Sequence, residues 1–131
     1  MQKIRKGVVY TQWETPQGEP YLPRENIHGF VYLVTDPAGK KYVGKKMIRE
    51  NADWRTYKTS CKELKDLIIS YGEKAGTFFS FVVLWECFSE KTLKLLEAIE
   101  ICKHETIISG YNAGLSIRQI GRVDISNAVR L

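Results

Sequence analysis

The chain has 131 residues, which is enough for one domain with a single core and too few for two domains of comfortable size. Its hydrophobic share of 44% and its charged share of 27% are ordinary for a soluble globular protein. No apolar run approaches the roughly 18 residues of a membrane-spanning helix, and no apolar signal core follows the basic N-terminus. We therefore expect a cytosolic protein that makes no membrane contact.

The charge of the chain favours a polyanionic partner. The formal net charge is +5 and the pI is about 9.1, and surface cations bind nucleic acids by contacting phosphates and releasing counterions. Charge alone leaves this open, because many basic proteins bind no nucleic acid. The three cysteines form no Cys-x-x-Cys pair, which argues against a structural zinc site and for reduced thiols.

Residues 1–28 are predicted to form an N-terminal arm. Residues 8–10 favour a short strand, and the breakers that follow are Pro16, Gly18, Pro20 and Pro23. Basic residues alternate here with Tyr10, Trp13 and Tyr21, a pattern typical of nucleic-acid contacts. The alternative, which we favour slightly, is a packing strap whose aromatic side chains complete the core.

A β-hairpin is predicted next. Two β-rich runs, residues 29–34 and 41–46, flank a turn at residues 36–40, where Pro37 sets one φ angle and Gly39 is free to take a positive one. The hairpin could bring Tyr32 and Tyr42 to one region of a small sheet.

Helix, strand and helix should follow the hairpin. Ser60 to Glu63 reads as a capping box that opens a helix, and Gly72 or Gly76 would end it. Its predicted core residues recur at helical spacing: Leu64, Leu67, Ile68 and Tyr71. Residues 78–85 are apolar on both faces, which indicates a central strand.

Ser89 is predicted to cap a second helix that runs from about Glu90 to Glu105. The expected buried stripe consists of Leu95, Leu96, Ala98, Ile99 and Cys102. At 100° per residue, the opposite side carries Glu97, Glu100 and His104. A basic tail, residues 115–131, ends the chain. The element order predicts an α+β fold with helices packed against a small sheet.

In these motifs the chain resembles the GIY-YIG nuclease superfamily. Gly29-Phe30-Val31-Tyr32 stands where the family has its first motif, and Tyr42-Val43-Gly44 stands at the second. The likeness is strongest to small phage proteins similar to Seg-like homing endonucleases. Those continue with a Lys-Lys pair and a Trp-x-x-Tyr-x-x-Ser stretch, matched here by Lys45-Lys46 and by residues 54–60. The resemblance covers about residues 29 to 121.

The resemblance implies a GIY-YIG-like core over residues 29–114, with a three-stranded mixed or antiparallel sheet flanked by helices in the order β-β-α-β-α. It also places both tyrosines in an active site, where one phenol orients or deprotonates the attacking water and the other bonds to the scissile phosphate. An unperturbed phenol has a pKa near 10, so a tyrosine base would need nearby cations. The alternative is that Tyr32 and Tyr42 are ordinary strand residues that pack their rings.

The resemblance does not assign the catalytic cation to a single residue. The family's usual arginine position falls at Ala52, which Arg49 and Arg55 bracket. We expect Arg55 to act together with Lys46, and Arg49 remains the alternative. The residues that we expect to meet substrate are Gly44, through close backbone approach, and Lys45, Trp54, Tyr57 and Asn112.

The expected metal anchor is Glu97, because its distance from Asn112 resembles the family arrangement; the helical pattern alone scarcely separates it from Glu100. One carboxylate suffices for Mg²⁺, which keeps several waters and takes further ligands from phosphate. Mn²⁺ is the alternative ion.

The resemblance therefore implies a metal-dependent endonuclease that acts on DNA and is encoded by a phage or mobile element. It would work in the cytoplasm of a bacterial host. One active site per chain means that a double-strand cut needs a homodimer or two successive nicks. The rival interpretation is a non-catalytic nucleic-acid-binding protein that retains the nuclease fold.

Overall fold

The computed structural model describes residues 11–48, 53–115, 123 and 125–131. Its strands are β1 (Gly29–Thr35), β2 (Lys41–Met47), β3 (Ser80–Cys87) and β4 (Ala128–Arg130). Its α-helices are α1 (Lys62–Tyr71), α2 (Ala75–Phe78), α3 (Glu90–His104) and α4 (Thr106–Ser109). Short 3-10 turns lie at Trp54–Thr56, Gly72–Lys74 and Ile125–Asn127. No helix in the described part of the chain could cross a membrane.

The strands form one antiparallel sheet in the order β2-β1-β3-β4. The α+β class is confirmed, but the expected three-stranded sheet is wrong because a fourth strand is present. Residues 128–130, in the predicted basic tail, pair with β3, so that Arg130 lies opposite Trp85. A strand of three residues is too short for an alternating sequence pattern to reveal it.

The predicted hairpin is confirmed. β1 and β2 pair with Tyr32 opposite Gly44. The turn is closed by Asp36, whose Oδ1 accepts hydrogen bonds from the backbone N–H groups of Ala38 and Lys40 at 2.9 and 2.8 Å. Gly39 has a φ of 87°, which is the positive angle that this turn requires.

β3 begins two residues later than predicted, because residues 75–78 form α2 and the Phe79 N–H closes its last turn on the Ala75 carbonyl. A bulge then alters the strand. Val31 pairs with Trp85 and Tyr32 with Val83, so Leu84 is an extra residue on β3. Since side chains alternate along a strand, the extra residue changes which face the following side chains meet.

Two hydrophobic clusters cover the two faces of the sheet. The aromatic cluster lies beneath α1 and contains Trp13, Tyr21, Phe30, Tyr32, Val34, Leu64, Ile68, Ala75, Phe79, Phe81 and Val83. The α3 cluster contains Val31, Val43, Trp85, Cys87, Leu93, Leu96 and Ile101. The bulge explains why Phe81 and Val83 join one cluster while Trp85 and Cys87 join the other.

The described part of the N-terminal arm packs as a strap. Trp13 and Tyr21 are 3% and 4% exposed, and Glu14 exchanges backbone hydrogen bonds with β3, through the Phe81 carbonyl and the Val83 N–H. Tyr21 Oη donates to the buried Glu86 carboxylate, which also pairs with Arg24. These aromatic side chains therefore complete the core, and the strand predicted at residues 8–10 lies outside the described residues.

The predicted buried stripe of α3 is only partly correct, because Leu96 and Ala98 are buried but two other members are exposed. Ile99 is 45% exposed, and Cys102 is also exposed. The face that meets the sheet carries Leu93, Leu96 and Ile101 together with Glu100, which is 3% exposed. α3 packs this face against the sheet because the packing buries three large aliphatic side chains. The Trp85 indole N–H also donates to Glu100 Oε1 at 3.0 Å, which satisfies the buried carboxylate.

Candidate active site

A cavity of about 510 Å³ lies against β2, the edge strand of the sheet. It is bounded by β2, the segment before α1, α3 and residues 111–114. The lining residues include Tyr42, Lys45, Ser60, Cys61, Glu97 and Tyr111. Tyr42 and Lys45 are three positions apart and therefore point to opposite faces of the strand. Both reach the cavity because, in the described part of the chain, β2 is the last strand at this edge of the sheet.

Glu97, the expected metal anchor, lines this cavity, although α3 is rotated relative to the prediction. Its Oε1 is 3.2 Å from Lys45 Nζ, and the two side chains are 16% and 32% exposed. Glu97 thus lies on the sheet-facing side of the helix, one turn from Glu100. Glu100 points into the α3 cluster instead, where its second oxygen, Oε2, is 3.2 Å from His104 Nε2 but outside hydrogen-bond geometry.

The two motif tyrosines lie together, with ring centroids 6.1 Å apart, but their surroundings differ. Tyr32 is 0% exposed, and its hydroxyl is 2.7 Å from the hydroxyl of Tyr57. The Ser60 N–H donates to Tyr32 Oη at 3.4 Å. Tyr42 is half-buried, and its hydroxyl is 2.8 Å from Ser60 Oγ at the cavity. Tyr42 is therefore the motif phenol that can meet a ligand.

Burial raises the pKa of all three phenols at this site. The largest cause for Tyr32 is desolvation, followed by repulsion from Tyr57 and Tyr42. Desolvation also raises the pKa of Tyr42, although its hydrogen bond with Ser60 opposes this, and it raises the pKa of Tyr57. The phenols are consequently neutral near pH 7, and act as hydrogen-bonding groups rather than as bases in this state.

The space above Gly44 is filled by the phenols. A Cβ at this position would overlap the Tyr32 hydroxyl, and it would lie 2.8 Å from Tyr42 Cε2. We expected Gly44 to admit a phosphate to the backbone. The structure gives another reason for this glycine, which is that no side chain fits beneath the two rings.

The expected catalytic cations lie apart from the cavity. Lys46 Nζ is 4.7 Å from the centre of the Tyr57 ring, and the Arg55 guanidinium donates to both carboxylate oxygens of Asp53 at 2.9 Å. Neither cation is among the described residues that line the cavity. Arg49 lies outside the described residues. The cation beside Glu97 is Lys45, which we had assigned to substrate binding.

Three other expected substrate-binding residues make contacts within the protein. Asn112 is 8% exposed, and it uses its whole amide on β2: Oδ1 accepts from the Val43 N–H at 2.9 Å, and Nδ2 donates to the Val43 carbonyl at 2.8 Å. Trp54 packs edge-on against Tyr21, and Tyr57 bonds to Tyr32. These contacts make Asn112 and Tyr57 positioning residues in the free protein.

The oxygen groups at the cavity are of the kind that binds a hard cation, and the Cys61 thiol also lines the cavity. Among the residues that the structure describes, no three His, Cys, Asp or Glu side chains group closely enough to enclose an ion. Glu97 offers one carboxylate, and the nearby Tyr42 and Ser60 are oxygen groups. A hard cation that keeps most of its waters needs no more than this.

The sequence interpretation missed Ser60. We assigned it to a capping box, but α1 begins one residue later with Cys61 as its N-cap residue and with no side-chain capping bond. The Ser60 hydroxyl bonds to Tyr42 instead. Its place at the end of the Trp-x-x-Tyr-x-x-Ser stretch was the signal that could have identified it.

Comparison with known proteins agrees with the motifs at this cavity. The family model described as "Putative endonuclease segE, GIY-YIG domain" matches residues 13–116, which include most of the described arm, both tyrosine motifs, Glu97 and Asn112. No curated protein and no solved structure matches the chain. Since the family model matches most of the 131 residues, the chain belongs to the Seg-like family of the GIY-YIG nuclease superfamily.

Proposed function

We propose that this protein is a metal-dependent DNA endonuclease that hydrolyses phosphodiester bonds at the β2 cavity. The family supports nuclease chemistry. The single observation that carries the proposal is that Tyr42 and Lys45 of β2 line one cavity with Glu97, which lies more than fifty positions later in the chain on α3. Phosphodiester hydrolysis needs these three kinds of group: a hydrogen-bonding hydroxyl, a cation and a metal-binding carboxylate.

Each of the three residues has a distinct role in this proposal. Glu97 would hold Mg²⁺ or Mn²⁺, and the bound ion would supply Lewis-acid stabilisation of the charge on the phosphate. Lys45 leaves its ion pair with Glu97 to contact a phosphate oxygen. Tyr42 remains a neutral phenol that donates a hydrogen bond to the phosphate or orients the attacking water. Because burial raises its pKa, donation suits it better than proton removal.

Tyr32 supports this arrangement from inside the protein. Its ring is fully buried, and its hydroxyl bonds to Tyr57 and to the Ser60 backbone. Tyr32 therefore fixes the segment beside the cavity and does not touch the substrate in this conformation. Lys46 and Arg55 contribute to the rate only if DNA binding brings them toward the phosphate.

A non-catalytic DNA-binding function is the second candidate. The observation that favours it is the pairing of the free protein's cations: Arg55 with Asp53, and Lys45 with Glu97. Burial raises the pKa of the three phenols at the site, so none of them is an activated base while these pairs are intact. A protein that kept both pairs on DNA would bind through its remaining positive charge and would not cut.

Plasmid cleavage separates the two candidates. Supercoiled plasmid is incubated with the protein in Mg²⁺, in Mn²⁺ and in excess EDTA, and DNA binding is measured in the same buffers. Nicked or linear product that needs the metal supports the endonuclease. Binding without product in any metal contradicts it and favours the second candidate. The ratio of nicked to linear product over time also shows whether cutting proceeds by successive nicks.

The phage or mobile-element origin remains a proposal that rests on the Seg-like family. Target recognition is assigned to the arm, to the segment before α1, which borders the cavity, and to the C-terminal residues. A homodimer is the arrangement that would allow concerted double-strand cutting, and the product ratio tests that as well.

A further inference from the structure

Ser60 forms hydrogen bonds with both motif tyrosines. Its Oγ is 2.8 Å from Tyr42 Oη, and its backbone N–H donates to Tyr32 Oη at 3.4 Å. The residue also lines the cavity that holds Glu97. One residue thus connects the buried phenol, the cavity phenol and the cavity itself.

We propose that Ser60 is a positioning residue that holds the Tyr42 phenol in the direction needed for phosphodiester cleavage. This inference rests on the function proposed above. Tyr42 projects from an edge strand and is only half-buried, so packing alone restrains its hydroxyl weakly. The hydrogen bond with Ser60 supplies a second fixed point at the end of the ring that faces the cavity.

The segment around Ser60 is itself well fixed. Thr59 is 4% exposed, and its Oγ1 accepts from the Cys61 N–H at 3.2 Å. Tyr57 Oη bonds to Tyr32 Oη two positions before Thr59. Helix α1 gains no side-chain cap from this segment, which leaves the Ser60 hydroxyl available for Tyr42. Because the residues next to Ser60 are fixed by these contacts, the Ser60 hydroxyl has a defined place from which it can position the Tyr42 phenol.

A serine hydroxyl also suits the direction of the hydrogen bonds. A phenol has one proton, and Tyr42 can donate it toward the phosphate or water only if its own oxygen is the acceptor within the protein. Ser60 can donate to that oxygen, since a hydroxyl rotates to act as a donor or an acceptor. Ser60 would therefore orient the Tyr42 proton toward the cavity.

The test compares Ser60→Ala, Ser60→Thr and the matched control Ser70→Ala. Ser70 lies on α1, is exposed, and its Oγ donates to the Leu67 carbonyl, so it makes no contact with the cavity. In Mg²⁺-dependent plasmid cleavage, Ser60→Ala should lower kcat by about tenfold and leave KM unchanged, which is the loss expected for one aligned hydrogen bond. Ser60→Thr should restore most of kcat.

A second measurement does not depend on cleavage. With tyrosine labelled with ¹³C at Cζ, NMR titration follows the ionisation of Tyr42. The Ser60 hydrogen bond lowers the Tyr42 pKa against the effect of burial, so Ser60→Ala should raise that pKa and Ser60→Thr should return it. Tyr42→Phe identifies the signal.

The two measurements separate this inference from the proposed function. If the wild-type protein shows no cleavage, the proposed function fails, and an unchanged Tyr42 titration in Ser60→Ala would then overturn the Ser60–Tyr42 link as well. If the wild type cleaves and Ser60→Ala retains full kcat, Ser60 has no positioning role. A fall in kcat without rescue by Ser60→Thr would also overturn the proposal.

Discussion

The two faces of the sheet are built from different kinds of residue. On one face, the arm and α1 cover an aromatic cluster in which the Trp13 ring meets Phe30, Tyr32 and Phe81 at centroid distances of 5.0 to 5.5 Å. On the other face, α3 covers the sheet with Leu93, Leu96 and Ile101. β1 serves both faces, because alternate residues point to opposite sides.

The buried polar side chains of the two faces also differ in their hydrogen-bond partners. On the aromatic face, the Tyr32 phenol bonds to the Tyr57 hydroxyl, and the Tyr21 phenol donates to the Glu86 carboxylate. The α3 face buries a carboxylate, Glu100, against the Trp85 indole. At the open edge of β2, the Tyr42 phenol from the aromatic side and the Glu97 carboxylate from α3 line the same cavity. The comparison teaches that the site is located where the faces meet, and that it needs a contribution from each.

Removing the carboxylate on the α3 side should have the largest effect. Glu97→Ala deletes the proposed metal anchor and should lower cleavage by about 1,000-fold, since metal stabilisation of phosphate charge is worth several kcal/mol. DNA binding and the melting temperature should hardly change. Single-turnover cleavage, filter binding and thermal unfolding measure these three quantities.

The matched control is Glu90→Ala, which removes an exposed carboxylate from the same helix and should leave cleavage unchanged. Full activity in Glu97→Ala would place the metal elsewhere.

Removing a hydroxyl from the aromatic side should have the next largest effect. Tyr42→Phe and Tyr32→Phe should each lower kcat, by about 100-fold for Tyr42, because a group that aids proton or charge transfer contributes that much. The two differ in stability. Tyr42→Phe should not alter the free energy of unfolding, whereas Tyr32→Phe should lower it by about 1 kcal/mol through loss of a buried hydrogen bond.

Denaturant unfolding and cleavage rates check both variants. Normal cleavage by both would make Tyr32 and Tyr42 ordinary strand residues and would contradict the proposed mechanism.

Replacing Glu100 tests whether Glu97 and Glu100, on the same helix, differ in function. Glu100→Ala leaves the buried Trp85 N–H without its acceptor and should lower the free energy of unfolding by about 2 kcal/mol. Its effect on the cleavage rate, measured well below the melting temperature, should be far smaller than that of Glu97→Ala. A loss of rate as great as that of Glu97→Ala would show that the metal site extends to Glu100.

The cations of β2 should have separable effects. Lys45→Ala should weaken DNA binding equally for all sequences and flatten the dependence of log K on log salt by about one unit. Lys94→Ala, which removes an exposed lysine from α3, is the control. Lys46→Ala and Arg55→Ala should instead lower the rate at saturating DNA. If Arg49→Ala is the more damaging arginine change, the assignment to Arg55 is wrong.

The smallest expected effect is on the free energy of unfolding at alkaline pH. The folded protein holds the protons of Tyr32, Tyr42 and Tyr57 more tightly than the unfolded chain, whose phenols ionise near the ordinary pKa of 10.0. This stability is present below pH 10 and is lost as the pH rises toward the folded pKa values. Urea unfolding at increasing pH should show a smaller decline for Tyr32→Phe than for the wild type. An equal decline would contradict the burial of that phenol.

Local chemistry explains which parts of the fold could be predicted from the sequence. The 36–40 turn and the Ser89 cap depend on neighbouring residues: Asp36 bonds two amides of its own turn, and Ser89 Oγ accepts from the Thr92 N–H at 3.2 Å. Signals of this kind are present in the local sequence. The metal-binding candidate Glu97 came from the family resemblance, because helical periodicity placed it on the wrong face.

The features that the sequence did not predict depend on distant partners. Glu100 is buried because Trp85 lies opposite it, and Trp85 faces α3 only because of the bulge at Leu84. The Ser60 hydroxyl does not cap α1, although the local sequence predicts that it does. It bonds instead to Tyr42, which is eighteen positions earlier in the chain. No local pattern contains these pairings, so propensity alone could not identify them.

The open edge that gives the site its access also carries a hazard, since unpaired backbone groups of an edge strand can pair with another chain. Residues 110–112 remove much of that hazard. The Tyr111 N–H donates to the Lys41 carbonyl at 2.8 Å, and Asn112 occupies both backbone groups of Val43. Gly110 permits this approach, because a Cβ there would overlap the Lys41 carbonyl. The segment thus protects this part of β2 from aggregation by strand pairing while leaving the Tyr42 and Lys45 side chains exposed to the cavity.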